Sequence, residues 1–389
     1  MRPLLAIFSV LAIASSTQAA LQWNLTLADF RVQPVVLKSI DAAGVHVTPG
    51  AGGEEKVIAF GQFLDLSRPV AAGQATGKLV LHLASGDQIG GEPVGVKGND
   101  LVWNSPILGE ISLPMKQLVA ITHPGGQVPD ARRREDIVTL GNGDTLRGII
   151  VDVTGAKVTV QGDAGNNDVP LTSVSQINFA SSAGKVTPAN GFRIHFDDGS
   201  SVTATTLTAD GEKANLTLGK DTVRPVNLSQ VAMIEQVNGP VSWLSSRPTS
   251  ESVYIPFMGA PKTNVAKMDH NWTGQDPIRF GSQEFAHGMG VHSYSRLSWT
   301  LDGTYAALRT RYAIDTKDAN TQADVTIRIL LDGKVVYEQP HVRAGTLSPV
   351  VLEALDGAKK LTLEVDYGDN LDTQDRVNWI EPALLKQKP

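Results

Sequence analysis

Three stretches in the last third of the chain gather aromatic rings beside side chains that donate and accept hydrogen bonds. The first is Asp269-His-Asn-Trp272-Thr-Gly-Gln-Asp276, a polar loop around a tryptophan. The second is His287-Gly-Met-Gly-Val-His292-Ser-Tyr294, and the third is Asp372-Thr-Gln374-Asp375-Arg-Val-Asn378-Trp379. A pyranose has a face of C–H groups and a rim of hydroxyls. It needs an aromatic platform for the face and fixed donors and acceptors for the rim. Trp272, His292, Tyr294, Asp372, Gln374, Asp375, Asn378 and Trp379 are therefore the candidate binding residues, with Trp272 the leading platform because exposed loops carry such groups. Each has a plainer reading. Trp379 lies between a strand and Ile380 and reads as core more than as platform. His292 reads equally as a buried, hydrogen-bonded histidine, and Asp372 and Asp375 as turn-holding carboxylates.

Asp315, Asp318 and Asp324 punctuate another polar loop, and calcium favours several hard oxygens on a flexible segment. The spacing is not that of an EF-hand, so the two readings are a structural Ca²⁺ and a solvated acidic turn. No other cofactor is expected. Nucleophile elbows, His-Glu-x-x-His, phosphate-binding loops and dinucleotide fingerprints are absent from the sequence. Glycoside hydrolysis needs two carboxylates across a cleft, and Asp197-Asp198 sit together in a tight turn. The expectation is a protein without catalytic activity.

The elements around these residues read as strands. Arg296–Leu301, Ala307–Ile314, Val325–Leu331 and Leu361–Tyr367 alternate apolar and polar positions, and Asp332-Gly333 turns one strand into the next. Such a run over residues 251–387 implies a jelly-roll-like β-sandwich. Residues 239–250, rich in Ser, Pro and Gly, read as a linker, with Trp243 and Tyr254 as alternative first packed residues of the sandwich.

Upstream, one plan recurs. Strands run into Ser85-Gly86, Asn142-Gly143 and Asp198-Gly199, glycines 57 and 56 positions apart. Each unit ends on a polar-apolar phrase closing at Ile121, Ile177 or Ile234, read as a short helical turn feeding a last strand. The units span residues 73–125, 134–182 and 188–238, with a degenerate copy over 21–72. Five strands in so short a unit suit small β-barrels, and the units resemble SH3-like or Sm-like barrels in shape and turn pattern. The fold class is thus all-β: tandem small barrels followed by a sandwich.

The ordered set Gly288-Met-Gly-Val-His292-Ser, Leu301-Asp-Gly-Thr-Tyr305, Ala313-Ile-Asp315, Leu331-Asp-Gly-Lys334, Gly357-Ala-Lys359 and Asp375-Arg-Val-Asn378-Trp379 resembles the NPCBM family, a carbohydrate-binding module appended to secreted glycoside hydrolases. The resemblance covers about a third of the chain. It implies a jelly-roll-like module that binds sugars, galactose-type residues among them, and does no chemistry. The chain departs from the family at Arg376, where the family carries a histidine.

Residues 1–20 have the Arg2 start, the apolar core and the small-residue ending of a secretory signal peptide. A secreted or periplasmic protein follows, one that does not span a membrane once the signal is removed. The 389-residue chain has no cysteine, which excludes thiol chemistry and disulfide staples, and its net charge of −6 disfavours nucleic-acid partners. The one basic run, Arg132-Arg133-Arg134, is flanked by acids and reads as solvated linker. The expected partner is a polysaccharide or glycan. Alternatives are a structural or protein-interaction component of the cell envelope, with other envelope proteins as partners, and an unrecognised hydrolase.

Overall fold

The computed structural model describes residues 21–386 apart from 51–52, 69–76, 127, 129–133, 164, 181–189, 220–221, 264 and 316–320. The signal-peptide segment and most of the arginine run lie outside those residues. The described chain is all-β. Its helical pieces are single 3₁₀ turns, and no described helix is long and apolar enough to cross a membrane.

The repeat units fold alike. In unit two, Leu79–Leu83, Gln88–Lys97, Asp100–Ser105 and Gly109–Pro114 form an antiparallel meander. The 3₁₀ turn Met115–Gln117 then feeds Leu118–Thr122 back beside Leu79–Leu83. Units three and four repeat this with 3₁₀ turns at Leu171–Ser173 and Leu228–Gln230. The helical turn expected from the closing phrase is therefore present in each. The degenerate unit one keeps the pairing of Phe63–Ser67 with Gln22–Leu27. The Ser-Gly, Asn-Gly and Asp-Gly dipeptides read as two-residue hairpin loops, but the loops hold three residues, closed by the N–H groups of Leu83, Leu140 and Phe196 on the carbonyls of Asp87, Asp144 and Ser200. Gly86, Gly143 and Gly199 each donate N–H to the carbonyl three residues back (Leu83, Leu140 and Phe196), at φ of 85°, 90° and 81°. Only glycine adopts that left-handed backbone without penalty.

The units are not closed barrels, because their fifth strands bond to other units. Leu118–Thr122 pairs with Val174–Asn178 of unit three, placing Ile121 opposite Ile177. Phe63–Ser67 pairs with Val231–Val237 of unit four, placing Leu66 opposite Ile234. The residues that keep the repeat period are the centres of these two seams. Unit two pairs with unit three, unit one with unit four, and a single apolar core runs through all four. An edge that continues into a neighbour leaves no backbone donors unpaired.

The sandwich has two sheets. One runs Lys267–Met268, Gly288–His292, Arg376–Leu385, Ala307–Ile314, Val351–Ala354. The other runs Lys262–Thr263, Glu251–Tyr254, Ser295–Thr300, Lys360–Tyr367, Val325–Leu331, Lys334–Val342. Leu297, Trp299, Ile327, Ile329, Leu363 and Trp379 fill the space between them. Val241–Trp243, inside the expected linker, pairs with the end of Arg376–Leu385, so Trp243 belongs to the sandwich.

The sandwich packs on units one and four. Leu64 and Phe30 meet Val241, Trp243, Ala307, Ala383 and Leu385. The Arg309 guanidinium lies 3.8 Å from the centre of the Phe30 ring. At the centre of the joint, His287 Nε2 is 2.8 Å from Glu235 Oε2, and Trp243 stacks on the His287 ring at 4.3 Å. Burial opposes a charge on His287, but Glu235 and Asp269 raise its pKa to about 10. Burial also opposes the Glu235 charge, and His287 with His195 holds that carboxyl well below its ordinary range. The joint is thus a buried ion pair in an apolar collar.

Candidate functional site: the loop end of the sandwich

The loops 255–261, 293–294 and 368–375 leave strands at one end of the sandwich, whereas the loop 269–277 leaves Lys267–Met268 beside Gly288 and folds back over Gly290 toward that end. Trp272 is set there by a loop that folds on itself. Asn271 is buried; its side-chain oxygen accepts from Thr273 Oγ1 at 2.7 Å, and its N–H donates to the Asp276 carbonyl. The loop lies directly on Gly290, where an added Cβ would come within 2.2 Å of the Asn271 and Trp272 backbone. A Cβ at Gly288 would meet the Trp379 carbonyl at 2.5 Å. The two glycines of Gly288-Met-Gly-Val-His292 are therefore the clearance that lets the tryptophan loop and the neighbouring strand approach.

Trp272, Tyr254 and His292 form a knot of half-buried rings. Tyr254 meets Trp272 edge-on at 5.3 Å and His292 at 5.8 Å, and Trp272 lies 5.4 Å from His292. Burial lowers the His292 pKa, which leaves the ring neutral near pH 7. Beside them, Tyr367 packs against Phe257 and Tyr294. Asp372 accepts the Phe257 N–H at 2.9 Å and lies close enough to Tyr254, Tyr367 and His292 to act on their charges. A carboxylate among half-exposed rings supplies both parts of a sugar site, stacking surface and hydroxyl acceptor.

The sequence candidates divide. Trp272, His292, Tyr294, Asp372 and Gln374 come together with exposed surface. Tyr294 has its hydroxyl committed to Glu364 at 2.8 Å, leaving only its ring to offer. Gln374 accepts the Gln322 N–H and holds the rim of the end. Asp375, Asn378 and Trp379 are fully buried. Asp375 ties Ser293 Oγ at 2.6 Å to the Asp324 N–H at 3.1 Å, and burial raises its pKa to about 6. Trp379 fills the core against Tyr312. These three build the end from behind and present no surface to a ligand. Tyr254, Phe257 and Tyr367 join the site without having been expected in it. Their only signal is that each is the last aromatic of a strand or the first residue group of the loop after it.

The acidic loop does not form one cluster. Asp318 lies outside the described residues. Asp315 is close to Asn378, Asn271 and Arg376, and burial raises its carboxyl. Asp324 instead gathers with His341 and Asp369, whose potential ligand atoms lie within 4.8 Å of one another. Its Oδ2 is already bonded to Arg343 at 3.1 Å and His341 at 3.3 Å. The adjacent guanidinium charge opposes a cation there.

Residues 241–385 match the NPCBM/NEW2 domain. Among curated proteins, no relative matches the sequence. Similar solved structures include CBM51-2 with the INT domains of Clostridium perfringens ZmpB in complex with GlcNAc. It is 19% identical over 44% of this chain and 36% of that one, with a TM-score of 0.33. This chain therefore spans little more than a third of that neighbour. CBM51 of C. perfringens GH95 in complex with methyl-galactose is 19% identical over 37% of this chain and 99% of that one, at 0.32. The tandem CBM51 modules of Sp3GH98 from Streptococcus pneumoniae are 11% identical over 93% of this chain and 87% of that one, at 0.33.

Proposed function

We propose that this is an exported, non-catalytic glycan-binding protein in which the loop end of the C-terminal sandwich receives a sugar ring. The observation that carries the reading is the half-exposed knot of Trp272, Tyr254 and His292 around Asp372, built on an NPCBM/NEW2 domain. The C–H face of a pyranose stacks on the Trp272 indole. The Asp372 carboxylate accepts from ring hydroxyls, and neutral His292 offers one further polar atom. The Asn271 turn and Gly290 hold the tryptophan in place before binding, which lowers the ordering cost. Affinity of this kind falls in the range of about μM to mM.

The test is a glycan array with the full mature chain, followed by titration with methyl-galactoside and N-acetylglucosamine. Trp272→Ala should weaken retention about tenfold to a hundredfold, equivalent to about 1.4–2.8 kcal/mol. A chain that holds no glycan, or a Trp272→Ala variant that binds like the parent, overturns the reading. It would leave the envelope-interaction alternative, in which neither the substitution nor added sugar changes protein capture.

A further inference from the structure

At the edge of the sandwich away from Trp272, the outermost strands of the two sheets face each other across a cavity of about 640 Å³. Lys334–Val342 pairs only with Val325–Leu331, and Val351–Ala354 only with Ala307–Ile314. We propose that this side cleft is a second glycan subsite, with the Tyr312–Tyr337 hydroxyl pair on its floor and the Glu353 carboxylate on its wall. The proposal takes its ligand class from the carbohydrate reading above but not its place, since none of the loop-end residues lines the cleft.

Two groups of the cleft have hydrogen-bonding capacity that the described residues do not fill. Tyr312 is 3% exposed, and its hydroxyl is 2.6 Å from that of Tyr337. Each phenol has one proton to donate. One proton closes the pair, and the other has no acceptor among the described residues. On the wall, the Glu353 carboxyl makes no hydrogen bond or ion pair among the described residues, and burial alone moves its pKa, upward. A free donor and a free acceptor in a partly desolvated cleft are costly unless a ligand or water meets them. Between them, Val342, Val351 and Leu352 give the cleft apolar sides.

These requirements select the ligand. An acyl chain would cover the apolar sides but leave the phenol and carboxyl unmet. An anion would face Glu353, while Arg343 and His341 on the same lining are already drawn to Asp324. A neutral ligand with hydroxyls on its rim and C–H groups on its faces satisfies all three surfaces. The cavity also falls within the usual span of small-molecule sites, about 300–1,000 Å³. The edge itself is shaped at this point. The ladder between Val325–Leu331 and Lys334–Val342 shifts register near Val342, and His341 holds a φ of 53°. Bulges and left-handed non-glycine residues recur where a strand re-aims side chains around a site.

The experiment uses the full mature chain with a panel of neutral tetrasaccharides from galactan, xylan and glucan, read by saturation-transfer NMR and by titration. Four proteins are compared: the parent, Trp272→Ala, Tyr337→Phe with Glu353→Gln, and the combination. The conservative pair keeps the shape of the cleft, so folding is retained. Leu352→Trp, at an exposed position, closes the cleft as an independent variant. The expected result is residual binding by Trp272→Ala that the cleft substitutions reduce at least about tenfold. If Trp272→Ala alone removes all binding, the side cleft is overturned while the loop-end reading stands. If the cleft variants alone remove it, the loop-end reading fails and the cleft stands. Silence of the parent across the panel overturns both.

Discussion

In the repeat array, the fifth strand of each unit has a partner on both edges, and the seams run through Ile121 against Ile177 and Leu66 against Ile234. In the sandwich, Lys334–Val342 and Val351–Ala354 pair on one edge only. The polar side chains differ in the same way. Array carboxylates close turns and seams: Asp87 holds the Thr203 N–H and hydroxyl across two units, and Asp136 holds the Ile150 N–H. Sandwich polar groups collect at a loop end, in a side cleft and at the joint. Strand edges and polar groups consumed internally make a support, whereas those left open are available for recognition. Under the glycan-binding proposal, the array would be the support and the sandwich the part that meets a ligand.

Damage to a seam should have the largest effect. Ile177 is 0% exposed, and Ile177→Asp would bury a carboxylate against the apolar side chain of Ile121. Such substitutions exceed about 4 kcal/mol. Calorimetry should show the array transition lost, and limited proteolysis should cut within residues 73–182. A variant that melts like the parent would mean that the four units do not fold as one support, and the comparison would break.

The joint comes next. His287→Ala leaves Glu235 buried without its main cation, a change that costs about 3–5 kcal/mol in comparable buried pairs. The pH dependence has a definite sign. The folded pKa of His287, about 10, lies above the unfolded value near 6.5. Its stabilisation is therefore complete below about pH 6.5 and is lost as pH rises towards 10. Asp65, which burial raises to about 6, acts only on the acid side, where its protonation favours the folded state. Thermal midpoints measured from pH 6.5 to 10 should fall more steeply for the parent than for His287→Gln. Parallel curves would remove the ion pair from the joint.

These two regions were unequally legible. The repeat was readable because its period is written in turn glycines and closing isoleucines, which one local geometry requires in every copy. That the closing residues meet across units was not readable, since pairing of strands more than fifty residues apart leaves no local mark. In the sandwich, Trp272 was legible as an aromatic of a polar loop and His292 as a ring beside it, at the end of a strand. Asp375, Asn378 and Trp379 carried the same residue types, yet the Ser293 and Asp324 contacts draw Asp375 inward and the core takes Trp379. His287 stood in the most conspicuous motif of the chain, and its partner Glu235 lies in another unit. Nothing in either segment announces the pair.

A smaller effect tests how the loop end is held. Gly290→Ala would place a methyl group 2.2 Å from the Trp272 loop backbone, so the loop must move. Overpacking of this kind costs about 1–3 kcal/mol. Glycan retention should fall with it, as in Trp272→Ala, even though the indole is still present. Stability lost with retention unchanged would show that the position of Trp272 is not what the site depends on.

The smallest expected effect sharpens the comparison most directly, because it holds distance constant. Arg147 Nη1 lies 2.8 Å from Glu135 Oε1 on the array surface, the same separation as His287 from Glu235 in the joint. The array pair has side chains 61% and 48% exposed, against 9% and 7% in the joint. Water screens the first, and holding two long side chains offsets most of the attraction. Arg147→Ala should cost only about 0.2–1 kcal/mol, and less in high salt. In the joint, removing one partner strands a charge that water cannot reach. Denaturation of the two alanine variants at low and high salt therefore separates burial from geometry. A salt-sensitive loss at Arg147 comparable to that at His287 would show that the array surface, too, depends on its charges.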